Sequence, residues 1–175
     1  MAPDEAIACA AVTLYVVRHA NAGRRSNWTG DDRTRPLSDR GELQAKGIAA
    51  VIDQRRAPGS APRILASPAV RCLQTMQPLA AQVGSEVVED VRLFEGAGPD
   101  EIASLLDEVT GTSDGDDVTV ICSHGDVIPV LLHLLVEVGM EPERNLVWQK
   151  ASMWIVDRTD GAWGVGRYLP PPDRS

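Results

Sequence analysis

The sequence predicts an α/β fold: a single domain with a mainly parallel sheet and helices on both faces. Three observations predict it. Short apolar runs, too brief for helices, recur along the chain and read as strands buried on both sides. Longer segments opened by helix-start signals separate them, and strand–helix alternation is the pattern of parallel strands joined by crossovers. With 175 residues and 43% apolar content, the chain can bury one real core, built mostly from Val, Leu, Ile and Ala because aromatics are few.

Residues 12–17 (VTLYVV) are an uncharged, β-branched run and give the first strand. A polar, glycine-bearing loop follows to Arg35. Ser38 caps, and Asp39 suits the dipole of, a helix reaching about Arg56. Residues 57–62 (APGSAP) are a loop and residues 63–66 a second short strand. Ser67-Pro68 reads as an N-cap followed by proline at the first helical position, opening a helix to about Val83 that Pro78 bends or interrupts. Residues 86–88 read as a strand, residues 92–98 as a loop, and Pro99-Asp100-Glu101 as the start of a third helix. Residues 117–122 (DVTVIC) are a buried strand ending at Ser123-His124-Gly125. Residues 126–138 form an apolar helix with Pro129 in its first turn and His133 on its apolar face. Residues 152–157 and 163–168 close the fold as a hairpin around Thr159-Asp160-Gly161. The domain is expected over residues 12–169, with an N-terminal extension at 1–11 and a loose, proline-rich tail at 170–175.

Composition excludes several classes. A net charge of −8 argues against a protein that grips nucleic-acid polymers, which needs a cationic face. An acidic chain that handles a phosphorylated ligand must instead concentrate positive charge in a pocket. Cys9, Cys72 and Cys122 make neither a disulfide framework nor a Cys-x-x-Cys zinc pair, and fit a reducing compartment. The apolar stretch near the start carries Asp4 and Glu5 where a signal peptide needs Lys or Arg, and no run is long enough to span a bilayer. A cytoplasmic location without a membrane partner is expected.

In a parallel sheet, ligands bind beyond the carboxyl ends of the strands. His19 and His124 each follow a strand at that address, Arg71 lies near the start of the helix after residues 63–66, and Glu95 lies in the loop after residues 86–88. This set suits phosphoryl transfer. A neutral imidazole is a nucleophile near neutral pH, and guanidinium groups grip phosphate oxygens in pairs. Arg18, Arg35 and Arg71, with a protonated His124, would surround one phosphate, and Glu95 could protonate the leaving group. Arg24 and Arg25, in the loop after His19, are candidates for the far end of a substrate. No metal or other cofactor is called for: the sequence has no His-Glu-x-x-His and no phosphate-binding Gly-x-x-x-x-Gly-Lys motif.

Arg18-His19-Ala20 after Leu14-Tyr15-Val16-Val17 resembles the Arg-His-Gly signature of the histidine phosphatase superfamily, with its phosphoglycerate-mutase-like fold. The likeness continues in order through Arg35-Pro36-Leu37-Ser38 with Gly41, the block from Ser67 to Thr75, and Ser123-His124-Gly125. The Arg-Pro-Leu-Ser block is most similar to the small SixA-type phosphohistidine phosphatases. The stretches around Arg71–Ala81 and Val120–Pro129 look closer still to phosphatase domains fused behind Nudix hydrolases in actinobacteria. The resemblance implies that His19 accepts the phosphoryl group and that Arg18, Arg35, Arg71 and His124 form its pocket. Ala20 departs from the usual Gly, which is tolerable where φ is not positive. Three readings stay open: a phosphatase acting on a phosphorylated small molecule or a phosphohistidine protein, a nucleoside diphosphate phosphatase, and a phosphate-binding module without turnover.

Overall fold

The computed structural model describes residues 11–111 and 117–172; most of the expected N-terminal extension and the last three residues of the expected tail lie outside the described residues. In chain order the elements are β1 (Ala11–Arg18), α1 (Asp39–Arg55), β2 (Arg63–Ala66), α2 (Val70–Val83), β3 (Val87–Glu89), α3 (Pro99–Gly111), β4 (Asp117–Ser123), α4 (Val127–Glu137), β5 (Glu141–Pro142), β6 (Met153–Thr159), β7 (Ala162–Trp163) and β8 (Val165–Leu169).

The strands form one sheet in the order β3-β2-β4-β1-β6-β8-β5. The first four run parallel; β6 then pairs antiparallel with β1, and β8 antiparallel with β6. The sheet is therefore mixed, with a parallel half that carries the crossover helices and an antiparallel flank. Alternation along β1 sorts the core into two layers. Tyr15 and Val17 face α1 and α2 with Ile48, Ile52, Met76 and Leu79. Leu14 and Val16 face α3 and α4 with Leu105, Ile128, Leu131 and Trp154.

The local signals behave largely as their chemistry requires. The Ser38 hydroxyl accepts from the Gly41 amide at 3.2 Å and caps α1, and Gly84 at φ +69° closes α2. Asp160 and Gly161, at φ +53° and +78°, make the tight turn between β6 and β7.

Other expectations need correction. α2 begins at Val70, two residues after Pro68, and its N-cap position, Ala69, has no side-chain bond, because the Ser67 hydroxyl is drawn to His124 Nε2 at 2.7 Å. Pro78 does not interrupt α2, whose buried Cys72, Met76 and Leu79 hold both halves on the core. Residues 163–168 are split at Gly164 into β7 and β8, and β5 is a strand too short to leave a sequence pattern. His133 is exposed, its Nδ1 2.6 Å from the Pro129 carbonyl oxygen. No helix among the described residues is long and apolar enough to cross a membrane.

Candidate active site

The carboxyl ends of the parallel strands open into a cleft of about 780 Å³. β1 ends there with Arg18 and His19. Its register against β4 places Arg18 opposite Ser123, and the His19 amide donates to the Ser123 carbonyl at 3.0 Å. On the other side Ala151, at φ +65°, donates its amide to the carbonyls of both Arg18 and His19 at 3.1 Å. A left-handed alanine is strained, so the surrounding structure must hold it there. The backbone of the Arg-His pair is thus fixed from both flanks. Ala20 is not at positive φ, so its Cβ is accommodated.

His19 is 5% exposed, with Nδ1 2.8 Å from the Ala20 carbonyl oxygen. A carbonyl can only accept, so Nδ1 carries the proton and Nε2 keeps its lone pair. Burial holds the imidazole well below its ordinary pKa of 6.5; the bond to Ala20 opposes this, and the charges of His124, Arg71 and Arg18 add to it.

Arg71, in the first turn of α2, is fully buried. Its Nη1 donates to the Asp32 carbonyl at 2.7 Å and its Nη2 to Glu95 Oε1 at 2.6 Å, while Nη2 also lies 3.2 Å from His124 Nδ1. Its Nε has no hydrogen-bond partner among the described residues. His124, placed by the end of β4, is 1% exposed and sits between Ser67 and Glu95, whose Oε1 is 3.3 Å from Nδ1. Phe94 meets the His124 ring edge to face at 5.9 Å. The imidazole therefore has fixed contacts on both ring nitrogens.

Arg35 leaves a 3-10 turn at Asp32–Thr34, donating Nη1 to the Ala22 carbonyl and Nε to Asp32 Oδ1, both at 2.7 Å. Arg18 donates Nη1 to the Trp148 carbonyl at 2.8 Å, and its Nε has no hydrogen-bond partner among the described residues. Gly125 makes room for that guanidinium: a Cβ there would lie 2.7 Å from Arg18 Nη2.

The structure brings Arg18, His19, Arg35 and Glu95 to one cleft, with Arg71 and His124 buried behind it in contact with Glu95. Arg24 and Arg25 stand on its outer rim, exposed, with Arg25 Nε paired to Asp32 Oδ1 at 2.9 Å. Sequence reasoning missed Asp32, on which Arg25, Arg35 and Arg71 all converge. The hydrogen bond from Arg35, against some burial and helped by the other arginines, holds its carboxyl below the usual range. The run Asp31-Asp32-Arg33-Thr34-Arg35 offered the signal, acids interleaved with arginines. Cys72 was also missed: its Sγ lies 3.6 Å from His124 Nε2. Burial pushes this thiol up, but Cys122 and His124 bring it down to about 6. Lys150, on a loop distant in sequence, completes the rim.

The description of the histidine phosphatase superfamily (branch 1) matches residues 14–101. The chain belongs to that superfamily. Arg18, His19, Arg35, Arg71 and Glu95 fall inside the matched stretch, and His124 beyond it. The chain is similar to an 8-oxo-(d)GTP phosphatase of Mycolicibacterium smegmatis, 35% identical over 161 residues; the match covers 92% of this chain and 49% of that protein. The chain thus spans about half the length of this relative. Among solved structures, a SixA protein from Nakamurella multipartita, described as a phosphohistidine phosphatase, superposes with a TM-score of 0.71 at 20% identity, covering 93% of this chain and 98% of that one. The protein histidine phosphatase SixA, solved with tungstate, gives 0.69 at 18% identity over 90% and 94%. At these identities the likeness is one of fold, and this member of the superfamily shares the phosphoglycerate-mutase-like α/β architecture of both.

Proposed function

We propose that this chain is a metal-independent phosphatase, hydrolysing a phosphomonoester or a phosphohistidine through a phosphoryl group carried briefly on His19. The observation that carries this reading is a buried imidazole, neutral and with Nε2 unprotonated, in one cleft with the guanidinium groups of Arg18 and Arg35 and beside Arg71.

In this reading Nε2 attacks phosphorus while the bond to the leaving oxygen or nitrogen breaks, its electron pair departing with the leaving group. Glu95, at the cleft, gives that atom a proton where it needs one. Water then attacks the phospho-imidazole, the nitrogen–phosphorus bond breaks, inorganic phosphate leaves, and the surplus water proton returns to the Glu95 carboxylate. Charge builds on the phosphoryl oxygens throughout. Arg18, Arg35, Arg71 and His124 are fixed by their own hydrogen bonds before substrate arrives, so they stabilise that charge without rearrangement, each worth about 10²–10³ in rate. Arg24 and Arg25 would contact the part of the substrate that projects from the cleft.

A second reading is removal of the terminal phosphate of a nucleoside diphosphate. The name of the Mycolicibacterium relative carries a nucleoside triphosphate, which supports a nucleotide as the substrate class.

The test is hydrolysis of p-nitrophenyl phosphate in the presence of a chelator, together with acid-quench trapping of labelled enzyme. Turnover with an acid-labile phosphoenzyme is expected, and His19→Ala should remove both. Full activity in that variant would overturn the mechanism. Tight vanadate binding with no turnover would instead mark a binding module.

A further inference from the structure

The cleft holds more positive charge than one phosphate uses. Beyond Arg18, Arg35 and Arg71, the rim carries Arg24, Arg25 and Lys150. Arg25 is paired with Asp32, but Arg24 and Lys150 have no carboxylate within ion-pair distance among the described residues. Lys150 Nζ donates to the Gly23 carbonyl at 3.5 Å. This ammonium is half-buried, and burial followed by the charges of Arg18, Arg35 and Arg71 pushes its pKa down. Four cations that face one another repel unless anions lie between them. The carboxylates at hand answer the other arginines: Asp32 meets Arg25, Arg35 and Arg71, Glu95 accepts from Arg71, and Asp126, whose Oδ2 accepts from the Gly96 amide at 2.8 Å, acts on Arg18.

We propose that Lys150 and Arg24 form a second anion subsite that reads the leaving group, so that the cleft favours a phosphoanhydride over a phosphomonoester of a neutral alcohol. The proposal rests on the phosphatase reading above. The terminal phosphorus bonds to His19 Nε2 and the bridging P–O bond breaks. The electron pair stays on the inner phosphate, whose growing charge the Lys150 ammonium meets. A phosphate leaving group departs without a strong acid, which suits a site whose Glu95 is already hydrogen-bonded to Arg71.

Guanosine diphosphate and guanosine monophosphate share base and ribose and differ in leaving-group charge, so their kcat/KM ratio isolates the subsite. The wild-type chain should favour the diphosphate by at least about tenfold, Lys150→Ala should cut that ratio by about tenfold, and Lys150→Arg should keep most of it. Arg24→Ala, at an exposed position, should cut it by about threefold. An unchanged ratio in Lys150→Ala, or a preference for the monophosphate, overturns the proposal. A binding arm separates this failure from that of the phosphatase reading. Calorimetry on His19→Ala, with chelator present, should show inorganic pyrophosphate bound more tightly than inorganic phosphate, and adding Lys150→Ala should abolish the difference. If neither nucleotide nor p-nitrophenyl phosphate turns over, the phosphatase reading falls, and the pyrophosphate preference still decides the subsite.

Discussion

The rings of His19 and His124 meet edge to face, with centroids 5.4 Å apart and planes at 65°. They come from the ends of β1 and β4, adjacent strands whose register sets them side by side. The charge of His124 is one of the influences that lower the pKa of His19, after burial. Their environments differ in kind. His19 is tied to one carbonyl and otherwise enclosed, while His124 sits among a hydroxyl, a guanidinium and a carboxylate.

This asymmetry gives a pH dependence of stability. His19 has a folded pKa below its unfolded value near 6.5, so the unfolded chain binds the extra proton first. The contribution is fully present above pH 6.5 and is lost as pH falls below it toward the folded value. Thermal midpoints measured from pH 7.5 down to 5 should therefore fall faster for the wild type than for His19→Asn, whose amide can still donate to the Ala20 carbonyl. Parallel curves would show that His19 is not held neutral. Asp32 and Asp90, whose carboxyls are held below their usual range, contribute only at lower pH.

Glu95 offers a leaving-group test. As the proton donor to the leaving atom it matters only when that atom is a poor leaving group. Glu95→Gln should slow hydrolysis of an alkyl phosphate by about 10²-fold and of p-nitrophenyl phosphate by much less. Equal losses on both substrates would assign Glu95 to holding Arg71 instead.

Gly125→Ala should separate activity from stability. The new Cβ would meet the far end of the Arg18 side chain, not backbone, so the guanidinium is displaced while the fold survives. An approximately 10²-fold drop in kcat/KM is expected, with the urea midpoint nearly unchanged. Unaltered kinetics would show that Arg18 does not need its present position.

Gly41→Ala should do the reverse. Its Cβ would collide with the Asn21 carbonyl oxygen, which already accepts from the Ser38 amide at 2.9 Å and the Ser38 hydroxyl at 3.1 Å. The start of α1 would have to leave the loop that follows His19. A loss of about 2–3 kcal/mol in denaturant titrations is expected, and wild-type stability would show that the helix start shifts freely.

Much of this was legible in the chain. The β-branched run of β1, the Ser38 cap, the Asp160-Gly161 turn and the strand–helix alternation all follow from local chemistry, so the sequence by itself determined the α/β class and the strand ends at which His19 and His124 stand. It also picked out Arg18, Arg35, Arg71 and Glu95, because polar groups next to buried strands need a reason to be there. Partnership was not legible. Ser67 reads as a helix cap until β2 and β4 lie side by side and offer it His124, and Asp32 is one acid among several until three arginines from separate segments reach it. Lys150 is a loop lysine until β6 pairs with β1 and brings its loop to the cleft. Only the tertiary structure decided these roles, since the burial and charge that set a side chain's chemistry come from neighbours across the sheet, which local sequence does not specify.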